Sequence, residues 1–428
     1  MPYPLWLTKF LLHSGIAHLL PGFRGLAGLS VDSYRYFSDR LLASPMQLVR
    51  DTAPFLEAHG PDLIDLSLAV PQFDIFQGEA SGTKVTSQCA NPTVFGAPEL
   101  RTAIAERMRA MHQLDYAPED EVLVTAGAAA ALNLVLDTFL SPREGVVLLD
   151  PSSRLFPLAV QHRRGRVRWV PSAVERGIVR FALAKLVPEL RHAKMLILQA
   201  PVNPTGAIFD AEDLEQVAWY CDREDVLILS DQSFELYQWE GRRNCIAGFP
   251  KAARRTLLTN SLSQSHGMAA YRVGWVAGPR RLLRPSAMTA FLQRAAVPTP
   301  CQQLALAALQ SPREPLNALG REVLERQRLA CEQLQLLGLR PVIPAGGYFI
   351  WLPVTGMNVT GRIFAEELLR DHQVLVLPGD LFGSSGRNFV RISLAASDEQ
   401  LREGLKRIGT YVRGLAPLAS HADLRIAM

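Results

Sequence analysis

Between about residues 120 and 280, short apolar runs alternate with stretches whose apolar positions recur at helical spacing. The runs are Val122–Thr125, Val146–Asp150, Val167–Val170, Met195–Ala200, Val226–Ser230, Thr256–Asn260 and Val273–Val276. They are rich in Val, Ile and Leu, and many lack in–out alternation, as strands buried on both faces do. Helical patterns such as Ala128–Leu140 and Ala211–Cys221 lie between them. Strand–helix alternation of this kind predicts an α/β domain with a mostly parallel sheet. After about residue 325 the rhythm changes. A helix over Val323–Leu337 leads to two apolar runs around Pro344-Ala-Gly-Gly347. A helix over Arg362–Asp371, short strands Val374–Leu377 and Asn388–Leu394, and a last helix from Asp398 follow. This part reads as a smaller α+β lobe, and residues 417–428 as a tail.

The apolar stretch at residues 4–20 is broken by Lys9, His13 and His18 and is too short to span a bilayer. It fits a signal peptide poorly. It reads as an amphipathic helix packed on the body or on a second subunit, with a membrane-surface helix as the alternative. The 428 residues allow two or three domains, or one large enzyme subunit with a second lobe. A net charge of +4 argues against nucleic acid as the main partner. With 48% hydrophobic and 20% charged residues the chain is globular rather than disordered. Its five cysteines are scattered and odd in number, without C-x-x-C, so neither a disulfide framework nor a metal site is signalled. A reducing cytoplasm is the expected location. Of the 45 basic residues only six are lysine, which matters below.

In open α/β sheets, ligand groups gather at the carboxyl ends of strands. The first run leads into Ala126-Gly127-Ala128 and a helix, where glycine admits a close backbone approach and the helix N-terminus offers free N–H groups to an anion. Met195–Ala200 leads into Pro201-Val-Asn-Pro-Thr-Gly206. Val226–Ser230 ends at Asp231, and Thr256–Asn260 at Ser261, with Arg272 following in Tyr271-Arg-Val-Gly-Trp275. Polar groups and an anion cup at one sheet edge form a site pattern, although any one of them alone is more often structural.

These motifs, with Pro378-Gly379, Phe382-Gly383 and Arg391-Ile-Ser393, resemble the fold-type I pyridoxal-phosphate enzymes, specifically the class I/II aminotransferases, over about residues 60–410. The resemblance implies a large domain with a mixed, mainly parallel seven-stranded sheet and a smaller α+β domain built from both chain ends. The expected division is an N-terminal arm at 1–35, small domain at 36–75 and 326–416, large domain at 76–325, and tail at 417–428. It also implies a homodimer. Asn203 would bond the cofactor's phenolic oxygen, and Asp231 would keep the pyridinium nitrogen protonated. Gly127, Ala128, Ser261 and Arg272 would hold the phosphate, and Arg391 a substrate α-carboxylate. The alternative for Arg391 is a salt bridge inside the small lobe.

The departures matter as much as the matches. The family's motif has Ser-x-x-Lys, whose lysine forms the Schiff base with the cofactor, but here the run is Ser261-Leu-Ser-Gln264. Gln264 stands eight residues before Arg272, where the family's lysine stands. An amide can neither form an imine nor move the substrate's Cα proton. Ser153 replaces the usual ring-stacking aromatic, and Phe234 the usual Tyr of Asp-x-x-Tyr. Asn91 stands where a Tyr commonly reaches the partner's phosphate, and Ala69 where a Gly usually lies near the substrate carboxylate.

Three readings accommodate Gln264: an engineered Lys→Gln change in an ordinary aminotransferase, pyridoxal or pyridoxamine phosphate held without a covalent bond, or no cofactor at all. The expectation adopted is a family member that has lost lysine-dependent transamination. It would be repurposed for an amino-acid-derived or other small-molecule carboxylate, in specialised biosynthesis. The rival is a non-catalytic member that binds a metabolite or a partner. His266 is the one nearby acid–base candidate, with an orientation away from the cofactor site as its alternative.

Overall fold

The computed structural model describes residues 62–67, 93–239, 245–312 and 314–415. The N-terminal segment at 4–20, Ala69, Asn91 and the tail at 417–428 lie outside the described residues. In chain order the strands are β1 Ile64–Asp65, β2 Val122–Thr125, β3 Gly145–Asp150, β4 Arg166–Glu175, β5 Ile178–Phe181, β6 Met195–Gln199 and β7 Ile208–Phe209. They continue with β8 Leu227–Asp231, β9 Thr256–Ser261, β10 Gly274–Ala277, β11 Phe349–Pro353, β12 Val374–Leu375, β13 Leu377–Pro378 and β14 Phe389–Ser393.

The large sheet runs β2-β10-β9-β8-β6-β3-β4 and is extended by β5 and β7. Strands β9, β8, β6, β3 and β4 run parallel to one another, and β10 is antiparallel to both β2 and β9. The seven runs expected to be strands all fall in this sheet, with boundaries moved by a residue or so except at β4. That strand continues to Glu175, because beyond the central sheet it turns into a hairpin with β5 whose residues alternate inward and outward.

Continuous apolarity in β3 has the expected cause. Val146 and Leu148 pack on one face with Leu132, Val135 and Leu136 of the helix Ala128–Phe139. Val147 and Leu149 pack on the other with Leu214 and Val217 of the helix Ala211–Arg223. Burying such side chains on both faces contributes roughly 1.5–3 kcal/mol each.

In the smaller lobe β11, β14 and β13 form an antiparallel sheet, and β1 pairs in parallel with β12. Ser393 donates its N–H to the Leu66 carbonyl at 2.8 Å, so residues from both parts of the chain build this lobe. Its first long helix starts at Glu314, ahead of the expected Val323, and ends at Leu336. Only one of the two apolar runs around Pro344 becomes a strand, Phe349–Pro353; the other contributes the isolated bridge Val342–Trp351. No helix among the described residues is long and apolar enough to cross a membrane.

Candidate active site

The antiparallel insertion of β10 fixes the position of the site. Gly274 pairs with Ser261 on one side and Thr125 on the other. The entrance to β10, the end of β9 and the end of β2 therefore meet at one edge, bringing Arg272, Ser261 and Gly127 together. Gly127 has φ +87°, and a Cβ there would stand 2.5 Å from Arg272 Nη2. Glycine is thus required for the guanidinium to lie against the turn. Arg272 donates to the Ala126 carbonyl and the Ala269 carbonyl, each at 3.1 Å. The helix Ala128–Phe139 begins directly after Gly127, with its first N–H groups free of intrahelical partners. This corner is an anion cup with one fixed cation.

A cavity of 440 Å³ opens at this edge. Ala128, Ser153, Asn203, Asp231, Phe234, Ser261, Gln264, Arg272 and Arg391 all line it, so chain segments far apart in sequence converge there. Asp231, the last residue of β8, is 8% exposed. Its Oδ1 accepts from the Ser233 N–H at 2.9 Å and the Ser233 hydroxyl at 2.5 Å, and its Oδ2 from Gln199 Nε2 at 2.9 Å. Burial raises its pKa, against the hydrogen bonds from Ser233 and Gln199. No cation pairs with it among the described residues. A buried carboxylate held only by neutral donors suits a ligand that brings a positive N–H.

Gln199 also accepts the Asn203 N–H at 3.1 Å, tying the loop after β6 to Asp231. Asn203 Oδ1 in turn accepts from Arg391 Nη1 at 2.9 Å. Arg391 sits on β14 opposite Trp351 of β11 and Leu377 of β13. It is 2% exposed, donates to the Ser67 carbonyl at 2.5 Å, and lies 4.1 Å above the Phe349 ring. Its Nε has no partner, and no carboxylate reaches it at ion-pair distance among the described residues. Burial, and then the nearby Arg154, lower its pKa to about 9. The expected alternative of a salt bridge inside the small lobe therefore has no acid to form it among the described residues.

Gln264 lies in the short helix Leu262–Ser265. Its side-chain Oε1 accepts from the Tyr348 hydroxyl and its backbone carbonyl from the Tyr237 hydroxyl, the latter at 2.7 Å. With the amide oxygen so engaged, Nε2 is left to donate toward the cavity. No lysine among the described residues lines the cavity. Phe234 meets Tyr348 and Phe349 edge-on, with centroids 5.4 and 5.5 Å away. Ser153 is buried and brings no aromatic face.

His266 is not among the cavity walls. It is buried, its Nδ1 lies 2.7 Å from the Ser265 hydroxyl, and burial, then Arg107, push its pKa down to about 3. Several site residues went unnoticed in the sequence: Ser67, Arg154, Gln199, Ser233, Tyr237 and Tyr348. Gln199 alone had a visible signal, a polar residue closing an otherwise apolar strand.

Against known proteins, the profile of the family "Aminotransferase class I and II" matches residues 82–408. The chain is 29% identical to an aspartate aminotransferase of Pyrococcus abyssi over 88% of this chain and 98% of that one. It is 32% identical to an arginine–pyruvate transaminase of Pseudomonas aeruginosa over 82% and 90%. Among solved structures, an aspartate aminotransferase of Thermotoga maritima superposes with a TM-score of 0.80 at 25% identity, covering 88% of this chain and all 100% of that one.

Proposed function

The chain belongs to the class I and II aminotransferases, and within that family we propose that it lacks lysine-dependent transamination, binds pyridoxal or pyridoxamine phosphate without a covalent bond, and acts on a small-molecule carboxylate. The observation that carries this is Gln264. It faces the cavity from the place where the family's lysine is expected, and no described lysine reaches the cavity to replace it. A homodimer, and a large domain spanning about residues 76–325, belong to the same reading.

The residues present fit most of such a cofactor. The buried carboxylate of Asp231 lacks a cationic partner among the described residues, as a site for a protonated ring nitrogen should. The turn at Gly127, the N-terminus at Ala128, Ser261 and Arg272 would take the phosphate. Asn203 would take the phenolic oxygen while its Oδ1 stays with Arg391. When bound, the group supplies an electron sink for charge developing next to the substrate carboxylate. Arg391 would hold that carboxylate through its guanidinium. Gln264 would orient a ligand oxygen by donating from Nε2, with Tyr348 fixing the amide's direction.

What these residues do not supply is a proton carrier at the substrate's Cα. Gln264 has no titrating proton, His266 is neutral and turned away, and burial raises the Tyr348 phenol well above its ordinary value. That deficit also supports a second reading, a binding protein with no turnover. Assays of standard amino-acid/2-oxo-acid pairs with added cofactor test the proposal. No transamination is expected. Turnover at the roughly 1–10³ per second of ordinary enzymes would mean another base works and would overturn it.

A further inference from the structure

We propose that a groove at the edge of the large sheet opposite the candidate active site binds the di- or triphosphate group of a small soluble ligand. The proposal does not depend on the functional reading above. Strands β2, β8 and β9 begin at Val122, Leu227 and Thr256, and the antiparallel β10 ends at Ala277. These ends share the sheet edge away from Asp231 and Ser261. A groove of about 970 Å³ opens there, within the range of roughly 300–1,000 Å³ of small-molecule sites. Its walls carry five cations, Lys251, Arg254, Arg255, Arg280 and Arg281. Against them stand three carboxylates, Glu121, Asp222 and Asp225.

Those carboxylates are already engaged. Asp222 pairs with Arg255 at 2.7 Å and with Lys251 at 3.0 Å, and Asp225 with Arg255 at 3.1 Å. Glu121 accepts the Arg280 N–H at 3.1 Å and the Ala117 N–H at 3.0 Å. Arg280 pairs with Asp120, which is not a wall of the groove. Arg254 and Arg281 pair with no acid among the described residues. Arg281 donates through Nε and Nη2 to the Arg254 carbonyl at 3.1 and 2.6 Å. This fork fixes the guanidinium against the backbone of Arg254 and leaves Nη1 to face a ligand. The local fold does not ask for this charge. Arg280 and Arg281 open the helix Arg280–Leu292, whose first turn holds no acid, and the partial positive charge of a helix N-terminus disfavours cations. Exposed cations gain little from one monovalent anion in salt. A chain of phosphates brings several charges and many acceptor oxygens matched to guanidinium forks, so it can engage Arg254, Arg281 and Lys251 together. The uncharged side chains of the walls are Pro250 and Pro279, so recognition rests on charge and not on ring stacking.

The test is calorimetry on the purified full-length protein at roughly 0.15 M salt, with tripolyphosphate, pyrophosphate and orthophosphate as probes. Tripolyphosphate should bind one-to-one and at least tenfold more tightly than orthophosphate. Arg254→Gln and Arg281→Gln should each weaken it fivefold or more, and Arg281→Lys, which keeps the charge without the fork, should weaken it less. The unfolding midpoint of each variant without ligand should stay within a few degrees of the native one. The anion cup at Gly127 is the competing site, so Arg272→Gln should leave tripolyphosphate binding unchanged. Equal affinity for tripolyphosphate and orthophosphate would overturn the proposal. So would binding that survives both Arg254→Gln and Arg281→Gln, or binding lost in Arg272→Gln. A short DNA duplex or phosphatidylserine vesicles held more tightly than tripolyphosphate through the same arginines would assign the groove to a macromolecule or a membrane and would also overturn it.

Discussion

Replacing Arg391 with Met separates a ligand-binding arginine from a structural one. Met keeps most of the side-chain volume over the Phe349 ring and removes the charge. Burial, as the leading cause, lowers the pKa of Arg391 from the ordinary arginine value to about 9. At about 1.4 kcal/mol per unit this is a penalty of about 5 kcal/mol on the charged native state, relieved in the variant. Against it, the Ser67 carbonyl and Asn203 Oδ1 each lose a donor, costing about 1–3 kcal/mol apiece. The balance should lie between a loss of about 1 and a gain of about 3 kcal/mol. Removing one partner of a buried ion pair would instead cost about 3–5 kcal/mol.

The pH dependence has a definite sign. The folded guanidinium gives up its proton more readily than the unfolded one, so above about pH 9 and up to the ordinary arginine pKa the unfolded chain holds more protons and native stability rises with pH. The penalty is complete below about pH 9 and fades above it, so the gap between variant and native protein should narrow there. Pentanoate binding should weaken by about 2–4 kcal/mol, or roughly 30- to 900-fold. Denaturant titration and calorimetry read the two quantities. A stability loss of about 3–5 kcal/mol with unchanged pentanoate affinity would show that Arg391 is a structural ion pair and would refute the reasoning.

Gln264→Lys should permit covalent attachment of pyridoxal phosphate, but measurable transamination should appear mainly when Ser153→Tyr and Phe234→Tyr are added, since ring stacking contributes about 0.5–1.5 kcal/mol beyond burial. Full activity from the single change would mean the rest of the site is intact. Gly127→Ala places a Cβ 2.5 Å from Arg272 Nη2 on a backbone at φ +87°. It should cost about 1–3 kcal/mol of stability and weaken pyridoxal phosphate tenfold or more; unchanged affinity would remove the turn from the phosphate site. His266 has a folded pKa of about 3 against an ordinary 6.5, so the unfolded chain takes up the extra proton as pH falls between those values. Native stability relative to His266→Gln should therefore drop on acidification below pH 6.5, by up to about 1.4 kcal/mol per pH unit, and a parallel pair of pH–stability curves would contradict it.

The central strands were readable because burial on both faces leaves continuous apolar runs, as in Val146–Leu149. The strands Ile178–Phe181 and Ile208–Phe209 were not, because they are short and exist through their pairing with each other and with the hairpin end of β4. Residues at strand ends, such as Asp231 and Ser261, were legible from topology alone. The supports of the site were not. Tyr348 lies 84 residues from the Gln264 amide it bonds, and Arg391 lies 324 residues from the Ser67 carbonyl. Such contacts follow from packing of the smaller lobe on the sheet edge, and no local pattern announces them.

In the proposed function, this fold would hold pyridoxal or pyridoxamine phosphate without a covalent bond to lysine. The most direct measurement is the intact mass of the purified protein incubated with pyridoxal phosphate, before and after borohydride reduction, followed by peptide mapping. The expected result is an unmodified chain after reduction, with the cofactor recovered by dialysis or denaturation in near-stoichiometric amount. A stoichiometric adduct fixed by borohydride to one lysine of the chain would contradict it.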